Sequence, residues 1–548
     1  MRVKPVPCSV EALAPYEYNE AFTVEKGGEF FTNGELAFPP GDAGKEDGSY
    51  RTLFGPCFAH NGVIFCNCDP CVSLAFRRLT ATRKPEIPGY DRRLKENQAD
   101  FFVRIGHLFD EACVDYTPHF ASYDGTYNAA RDHHSDPHVK RLLRVRSWME
   151  MEESRSCEDR LWLTTVKYKM KRDEIAKVGK PPRMIGDLGV AASLQGFMLT
   201  KHLKLAQASC PRFYRGAALH FISTPKASLL EEVFATLLDP HRVQARIYFC
   251  YFSDDSCVSI RHKGKTYVFN VDISKCDASH TEAVFTALKR QVPPAHQDDM
   301  EKLIEQCRLP IVIKSLSNPR NRVQLRPKTV RLYSGATITT AVNNTANFGI
   351  GVSIAEIDLD AVAPTAEALK EAIVAAAERA GYIVTCEFCP DYSGIQFLKH
   401  SPVVDIDGDL RALLNLGVLL RLSGTCKGDL PGSGPIGPRA RLFQSALLNG
   451  AYPTTSFPFL DTMKKAAGAD TCEKSQKVVQ GMFEYKVDHE GAAAFTITNS
   501  EAFRRYPIEP ADLLQLCEFA HLGLGYHLSN EGVGVIMDRD YSLSHASW

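Results

Sequence analysis

The chain has 548 residues, which is enough for two to four domains with separate cores. Hydrophobic residues make up 44% and charged residues 24%, an ordinary composition for a globular protein. The net charge of −1 provides no overall attraction to nucleic acid, and the absence of a run of about 18 apolar residues argues against a transmembrane helix.

Cysteines cluster in the N-terminal region. The whole chain has 17, an odd and scattered set, and no apolar signal segment follows the N-terminus, so we expect reduced thiols in a cytosolic protein. Within the cluster, Cys57, Cys66, Cys68 and Cys71 include one Cys-x2-Cys pair and could bind zinc. A well-spaced second pair is missing, and structural or surface thiols are the alternative interpretation.

Two stretches of the chain are locally basic. Residues 140–215 contain 17 Lys and Arg against 8 Asp and Glu, and residues 311–331 contain six basic residues and no acidic one. Fixed cations suit a triphosphate or a nucleic-acid backbone, and arginine adds a bidentate fork. A solvated surface is the alternative for either stretch. Candidate phosphate-binding positions in the first stretch are Lys167, Lys169, Arg172, Lys180 and Arg183.

The most informative segment is 248–260, where Asp254 and Asp255 lie between two β-prone apolar runs. This pattern predicts strand, turn and strand, with two carboxylates held against each other. A further acid, Asp272, ends the next β-prone run. Clustered carboxylates repel one another, divalent cations offset that repulsion, and two-metal phosphoryl transfer needs such a cluster. An ordinary hairpin turn is the alternative interpretation.

Polar residues that could check a nucleotide come next along the chain. Asp277 lies five residues after the strand-end acid and precedes a helical pattern. Ser334 and Gly335 then lead into a predicted helix in which Thr339 and Asn343, four residues apart, share a face. Short polar side chains on one face suit a surface that checks the base pair and the ribose. A polar helix beneath a loop is the alternative.

Together these segments resemble the palm of viral RNA-dependent RNA polymerases. Asp272 and Asp277 resemble motif A, residues 334–343 resemble motif B, and residues 253–255 resemble motif C, where Gly-Asp-Asp is commoner. Most of the family has the order A, B, C, whereas this chain has C, A, B. That order resembles the permuted polymerases of birnaviruses and permutotetraviruses.

The permuted interpretation requires that no second acidic hairpin follows motif B. Between residues 347 and 381 the sequence contains no strand, Asp-Asp and strand unit. The acids nearest to motif B there, Asp358 and Asp360, are predicted to lie near the start of a helix.

Three further segments extend the resemblance. Residues 167–183 resemble motif F, which lines the path of incoming nucleotides, and Gly381 after a predicted helix resembles motif D. The segment Phe397-Leu398-Lys399 resembles the motif E hairpin that supports a primer strand. Many relatives carry a lysine shortly after the motif D glycine as proton donor to pyrophosphate. Here Glu387, Cys389 and Asp391 take that neighbourhood, so the general acid is not identified.

The resemblance implies an α+β right-hand polymerase with fingers, an antiparallel palm sheet that carries a permuted motif C, and a thumb. Helical spacing at 410–422 and 511–524 fits a helix-rich thumb, and Gly- and Pro-rich punctuation at 428–438 predicts a loop. We expect fingers from 1–140, 141–240 and the insertion 285–332, palm from 241–284 and 333–403, and thumb from 404–548.

The same resemblance implies template-directed RNA synthesis. Asp254 and Asp272 would ligate Mg²⁺ or Mn²⁺, with Asp255 as an adjunct ligand. Asp277 and Asn343 would read the ribose 2′-hydroxyl. The nucleotide would be positioned by Ser334, Gly335 and Thr339, and its phosphates neutralised by the cations of motif F.

The implied partners are an RNA template and product, nucleoside triphosphates, and other viral replication or capsid proteins. The implied location is the host cytoplasm, a virion or a replication complex. A reverse transcriptase or DNA polymerase is the enzyme alternative, although a polar Asp277 argues against it because those enzymes usually place a bulky side chain there. A non-catalytic viral RNA-binding protein is the third alternative.

Overall fold

The structure is a computed structural model, and it is described here in the parts of the chain where residues are placed. Those parts are residues 21–39, 50–51, 68–80, 89–113, 165–171, 181–188, 196, 199–200, 203–204, 211–223, 225–423, 426–427, 433–468, 473–480, 487–522 and 530–541.

The described strands are two to nine residues long. They are β1 Phe22–Lys26, β2 Phe31–Thr32, β3 Glu35–Leu36, β4 Tyr50–Arg51, β5 Val166–Met170, β6 Met184–Asp187, β7 Arg212–Tyr214, β8 Ala217–Phe221, β9 Ile247–Phe252, β10 Asp255–His262, β11 Lys265–Ile273, β12 Ile311–Lys314, β13 Arg322–Pro327, β14 Val384–Cys389, β15 His400–Val404, β16 Leu410–Leu414, β17 Cys426–Lys427, β18 Thr455–Ser456 and β19 Phe495–Thr496.

The described helices pack around and beyond these strands. They are α1 Asp69–Thr80, α2 Tyr90–Arg104, α3 Gly106–Glu111, α4 Ala227–Leu238, α5 Glu282–Arg290, α6 Gln297–Glu305, α7 Thr339–Ala355, α8 Ala366–Arg379, α9 Leu416–Ser423, α10 Ile436–Ala451, α11 Pro458–Ala467, α12 Glu473–Gln480, α13 Asn499–Phe503, α14 Pro510–Glu518 and α15 Glu531–Tyr541.

A six-stranded sheet lies at the centre, in the order β14-β11-β10-β9-β8-β7. All neighbours are antiparallel except β8 and β9, which are parallel. The predicted α+β class with largely antiparallel sheets is therefore confirmed. Strands β9, β10 and β11 form a meander through two-residue turns. The two turns that flank β10 therefore lie at opposite ends of the sheet.

Both faces of this sheet are covered by other parts of the protein. Side chains alternate between the two faces along each strand, so neighbouring residues of one strand belong to different cores. On β9, Phe249 and Tyr251 join the core formed with α7 and α8, whereas Tyr248 and Cys250 join the core formed with α4. Helix α7 is enclosed on all sides, with residues 341–355 all buried, although its sequence includes three asparagines. Those amides must therefore find partners inside the protein.

A second sheet joins segments that are far apart in the sequence. Its five strands have the order β1-β13-β12-β5-β6, so the N-terminal region, the 285–332 insertion and the motif F segment share one sheet. In the basic stretch 311–331, Arg331 is used structurally, with its guanidinium over the Phe22 ring and donating to the Leu79 carbonyl. Arg326 pairs with Glu25 at 2.5 Å.

The C-terminal region has its own hydrophobic core. The helical prediction for 410–422 is wrong in its first half, since 410–414 is strand β16, paired with β15, and the helix begins at Leu416. A short apolar run satisfies either period, and the cross-strand partner decides between them. The prediction for 511–524 is confirmed as far as Glu518 by α14, and a short 3-10 helix, Phe519–Leu522, follows it. Helix α10 begins at Ile436, inside the predicted Gly- and Pro-rich loop.

Two further findings concern the sequence predictions. In the described residues no helix is both long and apolar enough to cross a membrane. Cys71 is disulfide-bonded, which corrects the expectation of a reduced thiol at that position. Zinc is bound by thiolates, so Cys71 in a disulfide cannot serve as a ligand. Its predicted zinc partners Cys57 and Cys66 lie outside the described residues, and zinc binding by the other cysteines stays a prediction.

Candidate active site at one end of the central sheet

The predicted acidic turn lies at one end of the central sheet. Asp255 pairs with Phe252, so Ser253 and Asp254 form a two-residue hairpin turn. On its other side, Asp255 lies directly opposite Asp272 of β11. Directly opposed residues of antiparallel strands point to the same face, with Cβ atoms about 5 Å apart. The sheet thus brings the three predicted carboxylates to one strand-end cluster, called here the acidic end.

The acidic end is electrostatically strained. The pKa of Asp255 is raised to about 7, mainly by burial and in addition by the negative charges of Asp254 and Asp272. The Leu398 amide opposes this by donating to the Asp255 carboxylate at 2.7 Å, and Lys399 adds a favourable charge. Asp254 and Asp272 are exposed at the surface. Like charges brought this close favour a proton or a cation between them.

The backbone of the acidic turn is held by a helix far along the chain. Ser253 has φ of 53°, a left-handed conformation that glycine adopts more easily. The Ser253 N–H donates to Asn344 Oδ1 at 2.5 Å, and the Ser253 carbonyl accepts from Asn347 Nδ2 at 2.6 Å. Asn344 and Asn347 are three apart on α7 and share a face. Sequence reasoning missed both, although asparagines at this spacing in an otherwise apolar helix were the available signal.

The two predicted ribose-checking residues meet in space. Asn343 Nδ2 donates to Asp277 Oδ1 at 3.2 Å. Burial raises the pKa of Asp277, the Asn343 hydrogen bond opposes that shift, and the charges of Asp254 and Arg183 act in opposite directions on it. Residues from predicted motifs A, B, C and F are therefore close enough to interact at this position.

The loop before α7 packs against β6. The Gly186 N–H donates to the Ser334 carbonyl at 2.8 Å. Gly335 has φ of 105°, and a Cβ there would lie 2.2 Å from the Gly186 oxygen, so only glycine fits. Thr339 donates its hydroxyl to the Tyr333 carbonyl at 2.9 Å, which directs it toward the loop backbone. The predicted motif B segment is thus bound directly to β6, the strand that follows Arg183 of the predicted motif F.

The cations predicted to bind phosphate are divided between described and undescribed residues. Lys167 and Lys169 lie on β5, opposite Asp187 and Ile185 of β6, and Lys169 makes an ion pair with Asp187 at 3.4 Å. Arg183 is exposed at the start of β6. Of the other two predicted cations, both Arg172 and Lys180 lie outside the described residues.

The predicted primer-support segment is a tight turn beside the acidic end. Phe397 and His400 exchange two backbone hydrogen bonds of 3.0 Å. Between them, Leu398 and Lys399 both have positive φ, 51° and 61°, as a two-residue hairpin turn of the primed type requires. The ammonium of Lys399 lies over the Tyr541 ring at 4.7 Å. This turn is the segment whose amide reaches the Asp255 carboxylate.

The acids that replace the expected motif D lysine are paired with C-terminal arginines. Glu387 binds Arg539 at 2.7 Å, and Asp391 binds Arg504 at 2.9 Å. Deeper in the same contact, the buried Arg505 binds Asp540 at 2.9 Å. Arg505 also donates to the carbonyls of Ser393 and Gly394 and to the Gln396 side chain. These contacts fix the C-terminal region against β14 and against the segment that leads from β14 to the turn at Leu398 and Lys399.

The other acids considered from the sequence lie elsewhere. Asp360 pairs with Arg246 at 3.4 Å, and Arg246 directly precedes β9. Because β9 runs from there to the acidic turn, Asp360 lies at the opposite end of the sheet, roughly 20 Å away for six residues of strand. Asp358 caps the short helix Leu359–Ala361 by accepting from the Asp360 N–H.

The acidic end supplies carboxylate oxygens, which are the ligands that hard divalent cations prefer. Among the described residues, no group of three or more His, Cys, Asp or Glu side chains is arranged to hold a metal ion. The Asp255 carboxylate is engaged by the Leu398 amide, which leaves Asp254 and Asp272 as the exposed carboxylates of the cluster. The acidic end therefore has the right type of donor for a divalent cation, without a set of ligands already arranged around one in the described residues.

Comparisons with known proteins add a distant likeness. No known protein family matches the sequence, and no curated protein matches it. A chain in a solved structure titled "X-ray structure of the birnavirus VP1-VP3 complex" aligns with a TM-score of 0.39 and 10% sequence identity. The alignment covers 70% of this chain and 62% of that chain, so less than two thirds of the matched chain is spanned. Inference about function therefore depends on the residues of the site.

Proposed function

We propose that the protein is a viral RNA-directed RNA polymerase whose palm carries motif C ahead of motif A. The observation that carries this proposal is the acidic end, where Asp255 lies opposite Asp272 and Asp254 occupies the adjoining turn. The bond made would join a primer 3′-hydroxyl to the α-phosphate of a nucleoside triphosphate, with pyrophosphate leaving. Phosphoryl transfer of this kind is accelerated mainly by positioning and by charge stabilisation.

The chain path supports the permuted order. From the acidic turn the chain passes along β10, through the Lys263–Gly264 turn, and along β11 to Asp272. After α7 it reaches α8 through residues 356–365, all of them described, without forming a strand. The acids of that connection lie at the other end of the sheet, where Asp360 pairs with Arg246.

Each part of the site has a proposed task. Asp254 and Asp272 would hold Mg²⁺, with Asp255 as adjunct, and the bound ions would lower the pKa of the attacking hydroxyl and neutralise the triphosphate. Arg183, near Asp277 and exposed, would contact the phosphates. The Leu398–Lys399 turn beside Asp255 would support the primer end.

Sugar choice is proposed to depend on Asp277 and Asn343. Asn343 donates to one oxygen of the Asp277 carboxylate. The other oxygen would accept the ribose 2′-hydroxyl. A site built to hydrogen-bond a hydroxyl rejects substrates that lack it, because its own polar groups are left unpaired. This pair favours a ribonucleotide polymerase over a reverse transcriptase.

Incorporation of nucleotides on a short RNA template with Mg²⁺ tests the proposal. We expect Mg²⁺-dependent extension with ribonucleotides, and a loss of discrimination against deoxyribonucleotides of about tenfold or more in Asp277→Ala and Asn343→Ala. RNA binding without incorporation in any divalent cation would favour the non-catalytic alternative. A preference of the unmodified protein for deoxyribonucleotides would favour a reverse transcriptase.

A further inference from the structure

A buried histidine and tyrosine lie directly behind the ribose-checking pair. His280 Nε2 is 2.8 Å from Asn343 Oδ1, and His280 Nδ1 is 2.8 Å from the Tyr382 hydroxyl. His280 and Tyr382 are 7% and 0% exposed, so neither reaches a substrate. Asn343 also receives a weaker contact from the Cys276 thiol at 3.3 Å.

Chemistry fixes the direction of this chain of hydrogen bonds. An ionised Asp277 carboxylate can only accept, so Asn343 must turn its NH₂ group toward Asp277. The Asn343 oxygen then faces His280, which must donate from Nε2. In the neutral imidazole this leaves Nδ1 as an acceptor, and the Tyr382 hydroxyl is the donor within reach.

One residue of the N-terminal region binds the backbone next to both His280 and Tyr382. Gln98 of α2, fully buried, donates to the carbonyls of Ser279 and Gly381 at 2.9 and 3.3 Å. Its side-chain oxygen accepts from the Thr281 N–H at 2.6 Å. The residues that flank His280 and the residue before Tyr382 are therefore tied together, which fixes the two rings.

We infer that His280 and Tyr382 are positioning residues for sugar discrimination, which they control by fixing the orientation of the Asn343 amide. The inference depends on the proposed function. Without the Tyr382 hydroxyl, His280 can adopt the other tautomer and present a lone pair to the Asn343 oxygen. The amide would then rotate, Asp277 would lose its donor, and the geometry that accepts a 2′-hydroxyl would be lost.

The protein contains a matched control pair. His220 Nδ1 is 2.6 Å from the Tyr248 hydroxyl, and both residues are buried, at 7% and 1% exposed. The ring centroids are 5.8 Å apart at 65°, against 5.7 Å and 66° for His280 and Tyr382. Removing the tyrosine hydroxyl is thus the same chemical change in the same kind of contact at both places.

The experiment measures the ratio of ribonucleotide to deoxyribonucleotide incorporation efficiency, together with the thermal midpoint, for Tyr382→Phe, His280→Leu, His280→Gln and Tyr248→Phe in the full chain. We expect the ratio to fall about fivefold in Tyr382→Phe and about tenfold in His280→Leu. His280→Gln, whose amide can still donate to Asn343, should keep most of the selectivity. Tyr248→Phe should lower the thermal midpoint like Tyr382→Phe but leave the ratio within about twofold.

Two outcomes would overturn the inference. One is an unchanged ratio in both Tyr382→Phe and His280→Leu, and the other is an equal fall in Tyr248→Phe, which would indicate general loosening. If His280→Leu does not fold, Tyr382→Phe and His280→Gln decide by the same ratio. Absence of any incorporation by the unmodified protein would instead contradict the proposed polymerase.

Discussion

Strand β10 has a two-residue turn at each end, and the two turns are stabilised in different ways. The exposed turn at Lys263 and Gly264 has φ of 47° and 83°, with glycine at one of the left-handed positions. At the acidic turn Ser253 has φ of 53°, and both its backbone groups are bound by asparagines of α7. One turn is encoded locally, while the other depends on a helix 91 residues away. A turn built in the second way is positioned by the fold as a whole.

The largest expected effect is the difference in nucleotide incorporation between variants of the acids at the two ends of the sheet. Asp254→Ala and Asp272→Ala should reduce nucleotide incorporation by roughly a thousandfold or more, because they remove charge stabilisation without touching the core. Asp358→Ala and Asp360→Ala, at the other end, should remain within about twofold of the unmodified rate. Steady-state incorporation with Mg²⁺ measures all four. Activity above about a tenth of normal in Asp254→Ala or Asp272→Ala would contradict the assignment.

The asparagine contacts should matter at one turn only. Asn344→Ala and Asn347→Ala should lower the free energy of unfolding by about 1–3 kcal/mol, because buried backbone groups lose their partners. If the proposed polymerase activity holds, they should also lower incorporation about tenfold or more, because the acidic turn is no longer held. Lys263→Ala, at the exposed turn, serves as the control and should change neither. Chemical denaturation and the incorporation assay provide the two measurements. Unaffected activity in both asparagine variants would show that the acidic turn keeps its conformation without these contacts.

The acidic end should also make the stability of the protein depend on pH. The pKa of Asp255 is raised from 3.8 to about 7, so the folded protein binds its proton more tightly than the unfolded chain does. The resulting stabilisation is complete below pH 3.8 and is lost as the pH rises through about 7. We therefore compare the free energies of unfolding of Asp255→Asn and the unmodified protein without divalent cations. The difference should shift in favour of Asp255→Asn by on the order of 2 kcal/mol as the pH rises from 5 to 8.

Denaturation curves at several pH values with a chelator present measure that difference. A constant difference across this range would show that Asp255 is ionised throughout.

The smallest effect should be similar at the two turns. Ser253→Gly and Lys263→Gly each place glycine at a positive φ, which should stabilise the protein by about 0.5–1 kcal/mol. Ser253→Gly keeps the backbone groups that the asparagines bind, so incorporation should be unchanged. Thermal unfolding measures both variants. A destabilised Ser253→Gly would indicate that the serine hydroxyl has a role of its own.

The sequence predicted the local parts of the site well. The apolar, β-prone runs on both sides of Asp254 and Asp255 predicted strand, turn and strand, which the structure confirms. Asp277 and Asn343 were selected by their resemblance to motifs A and B, and their side chains are in contact. The contacts of Asn344 and Asn347, and of His280 with Tyr382, could not be read in this way. Each joins positions dozens of residues apart, and their chemistry is visible only when burial shows that an amide or imidazole needs a partner.

The ion pair of Arg505 and Asp540 has a consequence for how the protein can be trimmed. Asp540 lies in α15, the last described helix, while Arg505 holds the carbonyls of Ser393 and Gly394 just before the turn that reaches Asp255. Removing the helix would leave a guanidinium buried without its counter-charge, a loss of about 3–5 kcal/mol. The structural effect of the truncation would therefore appear some 140 residues upstream, where the Leu398 amide would no longer be positioned to donate to the Asp255 carboxylate. Limited proteolysis after residue 530 should release not a smaller active unit but one whose acidic end has lost its support.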